Sequence, residues 1–409
     1  MIKNNIKILK KSILYTLAYC RAVQTPLTLV QIGRYLVRKK SDAPLASGEP
    51  PRPAGRQVSP PYATASVARQ SAGRQEEANA NLSEIKEVLN NLVEQGIVIE
   101  QKGLYWLKTD NIIKKQPTNT LDDTTLNYKL RVASYIRFIQ LEKAAQRKIN
   151  KVRKALKLFS RIPFLRGIFI CGSVARKVSS PKSDIDFLIL TKQNRVWMVR
   201  LFLTGFAFIL GKKTRDNKLT INPLSENILK NTRTEKREKS SRKDKFCLNH
   251  YRSSFKLSLE EDLRDLYSAQ EYARMINIYS PDKIERKFFK KNKNWMKKYL
   301  PNFNFTKSPI HNPLVATDRK NFPAQSKGMK IWLEYMLAGK IGNIIEKLLF
   351  HLQVQKIKFG SKDFSFVNKR IIADKEVIIF HLNPRAPQLL NKFKQILTCL
   401  ASSQATNNY

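Results

Sequence analysis

Between Ile168 and Thr191 the chain reads IFICGSVARKVSSPKSDIDFLILT, and this stretch narrows the choice of fold more than any other. Ile168 to Cys171 is short, apolar and β-branched and runs into Gly172, which predicts a buried strand ended by a sharp turn. Phe187 to Thr191 predicts a second buried strand. Side chains alternate faces along a strand, so Asp184 and Asp186 share one face while Ile185 between them points into the core. Two carboxylates on one face repel each other. A divalent cation such as Mg²⁺, which takes oxygen ligands and keeps positions for phosphate, offsets that cost, so the pair is a candidate metal site. Gly172-Ser173 supplies the complementary half. A glycine followed by a small hydroxyl residue at a helix start lets backbone N–H groups and the Ser173 oxygen approach phosphate closely. Arg176 and Lys177, one turn on, add cations, or are simply solvated.

Gly172-Ser173, ten intervening residues and then Asp184-Ile185-Asp186 in an apolar strand resemble the nucleotidyltransferase superfamily, the fold shared with DNA polymerase beta. The resemblance implies that the Gly-Ser turn holds a nucleoside triphosphate and that the two aspartates bind the Mg²⁺ ions that drive nucleotidyl transfer. It also implies a third carboxylate on a later strand. Phe246 to Tyr251, FCLNHY, is the strand expected there, and it carries no acid. Asp244 at its edge is the nearest candidate for a further metal ligand, with Glu260 and Glu261 as acids from elsewhere. Outside Ser41 to Ala80, the architecture also resembles a group of bacterial nucleotidyltransferase-domain proteins that begin with a winged helix.

The 409 residues suffice for two to three domains. Their formal charge of +44, from 76 basic and 32 acidic side chains, has two readings: polyanionic partners such as nucleic acid, nucleotides or an anionic membrane, or a lysine-rich compositional bias. Cys20, Cys171, Cys247 and Cys399 are scattered without metal-ligand spacing. A reducing cytoplasm is the expected setting and zinc is not expected. No targeting segment stands out. The most apolar run, Val196 to Leu210, contains Arg200 and falls short of the roughly 20 residues that span a bilayer, which predicts a core helix and no transmembrane segment.

In chain order, residues 1–110 predict a winged helix. Thr28 and Gln31 have capping-box spacing for a second helix, a third runs from Ser83 to Gln95, and Lys102-Gly103 joins two β-rich runs as a hairpin. Glu84, Glu87 and Glu94 on that third helix oppose phosphate, so a protein-contact role stands beside a DNA-reading one. Residues 41–80, rich in Pro, Ala and Ser, predict a disordered insertion. Residues 111–165 predict a basic helical connector. Its run of Arg147, Lys148, Lys151, Arg153, Lys154 and Lys157 reads as a solvated face or as a cationic wall beside a nucleotide.

Residues 166–280 form the expected core, with a mobile loop at 212–244 and a helix from about Ser268 that has Glu271 at capping-box distance. Residues 281–409 predict a mostly helical domain, with Phe288, Phe289 and Trp295 as a buried stripe and Val377 to Phe380 as a short strand.

The fold class is therefore α+β: an N-terminal winged helix, a central mixed sheet with flanking helices, and a C-terminal mostly helical domain. Two functions remain open. One is a Mg²⁺-dependent nucleotidyltransferase acting on an unknown acceptor hydroxyl or phosphate, which includes nucleic acid or protein. The other is a non-catalytic nucleotide sensor, or a nucleic-acid or protein binder, with a degenerate site. Nothing in the sequence sets the oligomeric state.

Overall fold

A computed structural model describes residues 2–37, 82–108, 123–210, 245–304, 324–360, 371–380 and 385–406. The expected insertion at 41–80, the loop at 212–244 and Asp244 lie outside these residues.

The N-terminal region is built from α1 (Ile2–Ala22), β1 (Leu27–Thr28), α2 (Leu29–Arg34), α3 (Leu82–Glu94), β2 (Val98–Gln101) and β3 (Leu104–Leu107), its strands ordered β1-β3-β2. Thr28 caps α2 as its spacing requires. Its hydroxyl accepts from the Gln31 N–H, and the Gln31 side chain accepts from the Thr28 N–H at 3.0 Å. Lys102 and Gly103 both take positive φ, the conformation in which a two-residue turn matches the twist of its hairpin. Ile85, Val88, Leu89 and Leu92 line one side of α3 and are buried, while Glu84, Glu87 and Glu94 stay in water.

The centre is a mixed seven-stranded sheet of order β8-β4-β5-β7-β10-β9, with β6 paired to β5 off that path. Its strands are β4 (Leu165–Cys171), β5 (Ile185–Thr191), β6 (Phe246–Cys247), β7 (His250–Ser253), β8 (Ile276–Tyr279), β9 (Ile371–Ala373) and β10 (Val377–Phe380). The expected FCLNHY strand is two short strands, interrupted at Leu248 and Asn249. Val377 to Phe380, the short strand expected in the C-terminal region, is hydrogen-bonded into the central sheet against β7.

Alternation sorts the strands between two cores. Phe187 and Ile189 of β5, with Ile168 and Ile170 of β4, pack toward α4 (Asp123–Phe159) and α6 (Val196–Ile209). Leu188, Leu190 and Phe169 pack the opposite way, toward α7 (Leu266–Arg274) and α8 (Ile284–Tyr299). On that second face Phe288 stacks on Phe169, and Phe289 and Trp295 are buried as the helical spacing required. Helix α7 begins at Leu266 and not near Ser268, because the Asp265 carboxylate accepts the Ser268 N–H at 2.7 Å and caps it there. Glu271 is thereby released from a capping role.

Helix α7 also carries the N-terminal region. The Arg274 guanidinium lies 4.2 Å over the Tyr35 ring and donates to Cys20 Sγ, while Gln270 donates to the Tyr35 carbonyl. The last helix, α11 (Arg385–Thr406), returns to α1 and sets Phe393 edge-on to Tyr15 and Tyr19. A helical hairpin of α9 (Ala324–Met336) and α10 (Lys340–Gly360) covers the first face. At its foot Arg166 forms a two-pronged pair with Glu334, and Lys330 donates to the Leu165 carbonyl and the Tyr279 hydroxyl.

Burial lowers the Lys330 pKa to about 8; Glu334 opposes that shift and Arg166 adds to it. The unfolded chain, in which lysine titrates near 10.4, binds the extra proton between those values, so stability rises with pH from about 8 to about 10. Urea titrations across that range should show this gain in the wild-type chain, and Lys330→Met should abolish it.

Candidate active site

The strand β4 ends opposite the start of β5, and that register assembles the corner. Cys171 faces Asp186 across the antiparallel pair, so the chain turning out of β4 at Gly172 passes directly over the Asp186 side chain. Gly172 has φ +66°, and a Cβ built on it would collide with Asp186 Oδ2. Only glycine satisfies both conditions, the left-handed backbone and the close approach of a carboxylate. Ser173 follows within the single turn α5 (Gly172–Ala175) and is half-buried. Ile185 is fully buried, and the flanking Asp184 and Asp186 are half-buried.

Two long-range clamps hold this corner, and neither was assigned from the sequence. The first is Glu271. One of its carboxylate oxygens accepts the Gly172 N–H at 2.8 Å and the other pairs with the Arg176 guanidinium. The second is Lys148. The residue is 2% exposed, and its ammonium donates to Ser179 Oγ at 3.0 Å, the Ser180 carbonyl at 2.7 Å and both the hydroxyl and carbonyl of Ser183. A buried ammonium is tolerable only when its donors are satisfied, and here three serines of one loop satisfy it. That loop leads directly into Asp184. Lys148 is therefore neither solvated nor part of a cationic wall. A signal for it existed: it shares a helical stripe with Ala145, Val152 and Ala155, all buried.

The expected phosphate cations are both engaged elsewhere. Arg176 is held by Glu271, and Lys177, at φ 62°, reaches Glu142 on α4 at 3.0 Å. Burial, and after it the charge of Asp186, push the Cys171 thiol up, so it is protonated at neutral pH and is not a nucleophile.

The residue of β6 in register with Asp186 is Cys247, and β7 presents His250 and Arg252 on the same face, with no carboxylate among them. Glu260 is bound by both terminal nitrogens of the buried Arg252, and Glu261 is exposed beside Arg264. Among the described residues no group of three or more His, Cys, Asp or Glu side chains is placed to hold a metal ion. The two aspartates nonetheless suit Mg²⁺. They are oxygen donors, half-exposed, and one of them occupies the space that the missing Gly172 side chain leaves.

Residues 149–321 match the family model of the nucleotidyltransferase domain, a span that contains the corner, both aspartates, the Lys148-bound loop and α7. No curated protein and no solved structure matches the chain. The family match supports the superfamily and nucleotidyl transfer in general, with a nucleoside triphosphate as the implied substrate. Among the described residues, no helix is long and apolar enough to cross a membrane.

Gly172→Ala should destabilise the chain by about 2 kcal/mol or more, through left-handed strain and displacement of Asp186. Lys148→Met should cost about 2–4 kcal/mol by stranding buried acceptors, whereas Lys154→Met, exposed on the same helix, should change stability by less than about 0.5 kcal/mol. Urea unfolding of the three variants checks both.

Proposed function

We propose that the chain is a Mg²⁺-dependent nucleotidyltransferase that moves a nucleoside monophosphate from a triphosphate to an acceptor hydroxyl or phosphate. The observation that carries this reading is the interlock of Gly172 with Asp186, which sets the Gly-Ser turn directly against a carboxylate. Asp184 and Asp186 would hold Mg²⁺, which when bound supplies charge neutralisation at the α-phosphate and on the departing pyrophosphate. Ser173 offers its hydroxyl to the triphosphate tail, and Gly172 makes the turn that carries Ser173 past Asp186.

The Gly172 N–H is already given to Glu271, so Glu271 and Arg176 act by fixing the shape of the turn. Lys148 fixes the approach to Asp184 in the same way. The acceptor oxygen attacks the α-phosphorus and the bond to the β-phosphate breaks. The acceptor's proton leaves to solvent or to a carboxylate of the pair.

We infer that residues 1–110 form a winged helix, a reading supported by their helix and strand order and by the capped α2. The exposed acids on α3 favour a protein contact over duplex DNA at that helix.

One observation favours a second reading, a nucleotide-binding regulator without turnover: the strands beside Asp186 offer Cys247, His250 and Arg252 where a third acid is expected. Asp184→Asn with Asp186→Asn separates the two. With labelled triphosphates and an acceptor screen, the transferase reading expects Mg²⁺-dependent turnover that falls at least a hundred-fold in the double variant. Turnover unchanged by the substitutions sinks it; tight triphosphate binding with no turnover in either protein selects the regulator. Binding to duplex DNA, measured across a salt series, should be weak, and a steep salt dependence from tight low-salt binding would instead make α3 or the basic surface a DNA contact.

A further inference from the structure

The hairpin of α9 and α10 turns every acid it owns inward. Between residues 328 and 355 the acids are Glu334 and Glu346. Glu334 is held by Arg166 and the Phe164 N–H, and Glu346 accepts the N–H groups of Trp197 and Met198 at the start of α6. Arg195 binds the carbonyls of Leu337 and Ala338 in the turn between the helices, and the Asn343 side chain beyond it. On its inner side the hairpin thus adds specific polar contacts to the packing of Ile345, Leu349, Phe350 and Val354 on the first core.

Its outer side carries a second apolar surface. On α10, Ile341, Ile344, Leu348 and Leu352 are 53–68% exposed, and on α9 Trp332 and Tyr335 are 60% and 81% exposed. The α10 residues recur at steps of three, four and four, the spacing of a seam that packs against another helix. With large side chains of about 150–250 Å² each, these six leave roughly 800 Å² of largely apolar surface in water. That exceeds the ≈ 300–600 Å² of the largest patches on monomers and equals the ~800 Å² that each partner contributes to a standard interface.

We propose that this face is covered by a second copy of the chain, α10 against α10 about a two-fold axis, with Trp332 and Tyr335 flanking the seam. A two-fold contact uses the same patch on both partners, and the six residues of the patch are aliphatic and aromatic, the composition of a permanent dimer core. Lys340 and Lys347 are the exposed charges described on the hairpin. The inference stands independently of the catalytic reading.

Sedimentation velocity and light scattering on the full chain test it. The expected particle has twice the 47.3 kDa mass of one chain. Ile344→Glu with Leu348→Glu should give the single-chain mass with an unchanged far-UV circular dichroism spectrum. Tyr335→Lys, at the most exposed position, supplies an independent reading if the double variant fails to fold, and should weaken dimerisation at least ten-fold. A wild-type chain that is monomeric at tens of micromolar overturns the proposal. So does a dimer that survives both sets of substitutions, or a monomer that co-sediments with phosphatidylglycerol vesicles through this face.

Discussion

The site depends on an atom that is absent. Where a side chain would sit on Gly172, the carboxylate of Asp186 sits instead, and the left-handed backbone that glycine alone adopts freely brings the chain across it. The register of β4 against β5 makes this unavoidable, because Cys171 and Asp186 are partners in the ladder and the next residue must turn. Neighbouring features extend that contact. Lys148 fixes the loop entering Asp184, Glu271 fixes the turn leaving Cys171, and the sheet beneath holds Ile185 fully buried in the core.

The electrostatic cost of this arrangement is met by pairing and not by exposure. Arg176, Arg252, Lys148 and Glu271 all lie in or near the interior, and each is matched by a carboxylate, an amide or hydroxyls within hydrogen-bonding distance. Breaking one side of such a pair strands the other, which is more costly than never having buried it. The large positive charge of the chain therefore divides into two populations: cations at the surface, which set the long-range field, and a few interior ones that hold loops in place.

Much of the core was legible because it is local. Alternation along β5 placed Ile185 inside and the aspartates outside, Thr28 and Gln31 announced the cap on α2, and the apolar residues of α8 recurred at helical spacing. What the sequence concealed is contact between distant segments. Lys148 sits within a run of cations and looked like its neighbours, although its helical phase matched the buried alanines. Glu271 stood three residues after a serine and mimicked a capping pair, and the true cap, Asp265, lies one turn earlier. The division of FCLNHY into two strands, and the entry of Val377 to Phe380 into the central sheet, depend on pairings between residues far apart in the chain, such as Ile185 with Phe246 and Val377 with Arg252. No local pattern encodes those.

Helix α7 is nine residues long, and successive positions on it serve two masters. Glu271 grips the turn at Gly172, while Gln270 and Arg274 grip Tyr35 and Cys20 of the N-terminal region. A rod of two and a half turns does not flex between neighbouring residues. The N-terminal region and the turn at Gly172 are consequently held by neighbouring residues of one short helix, so neither is anchored independently of the other.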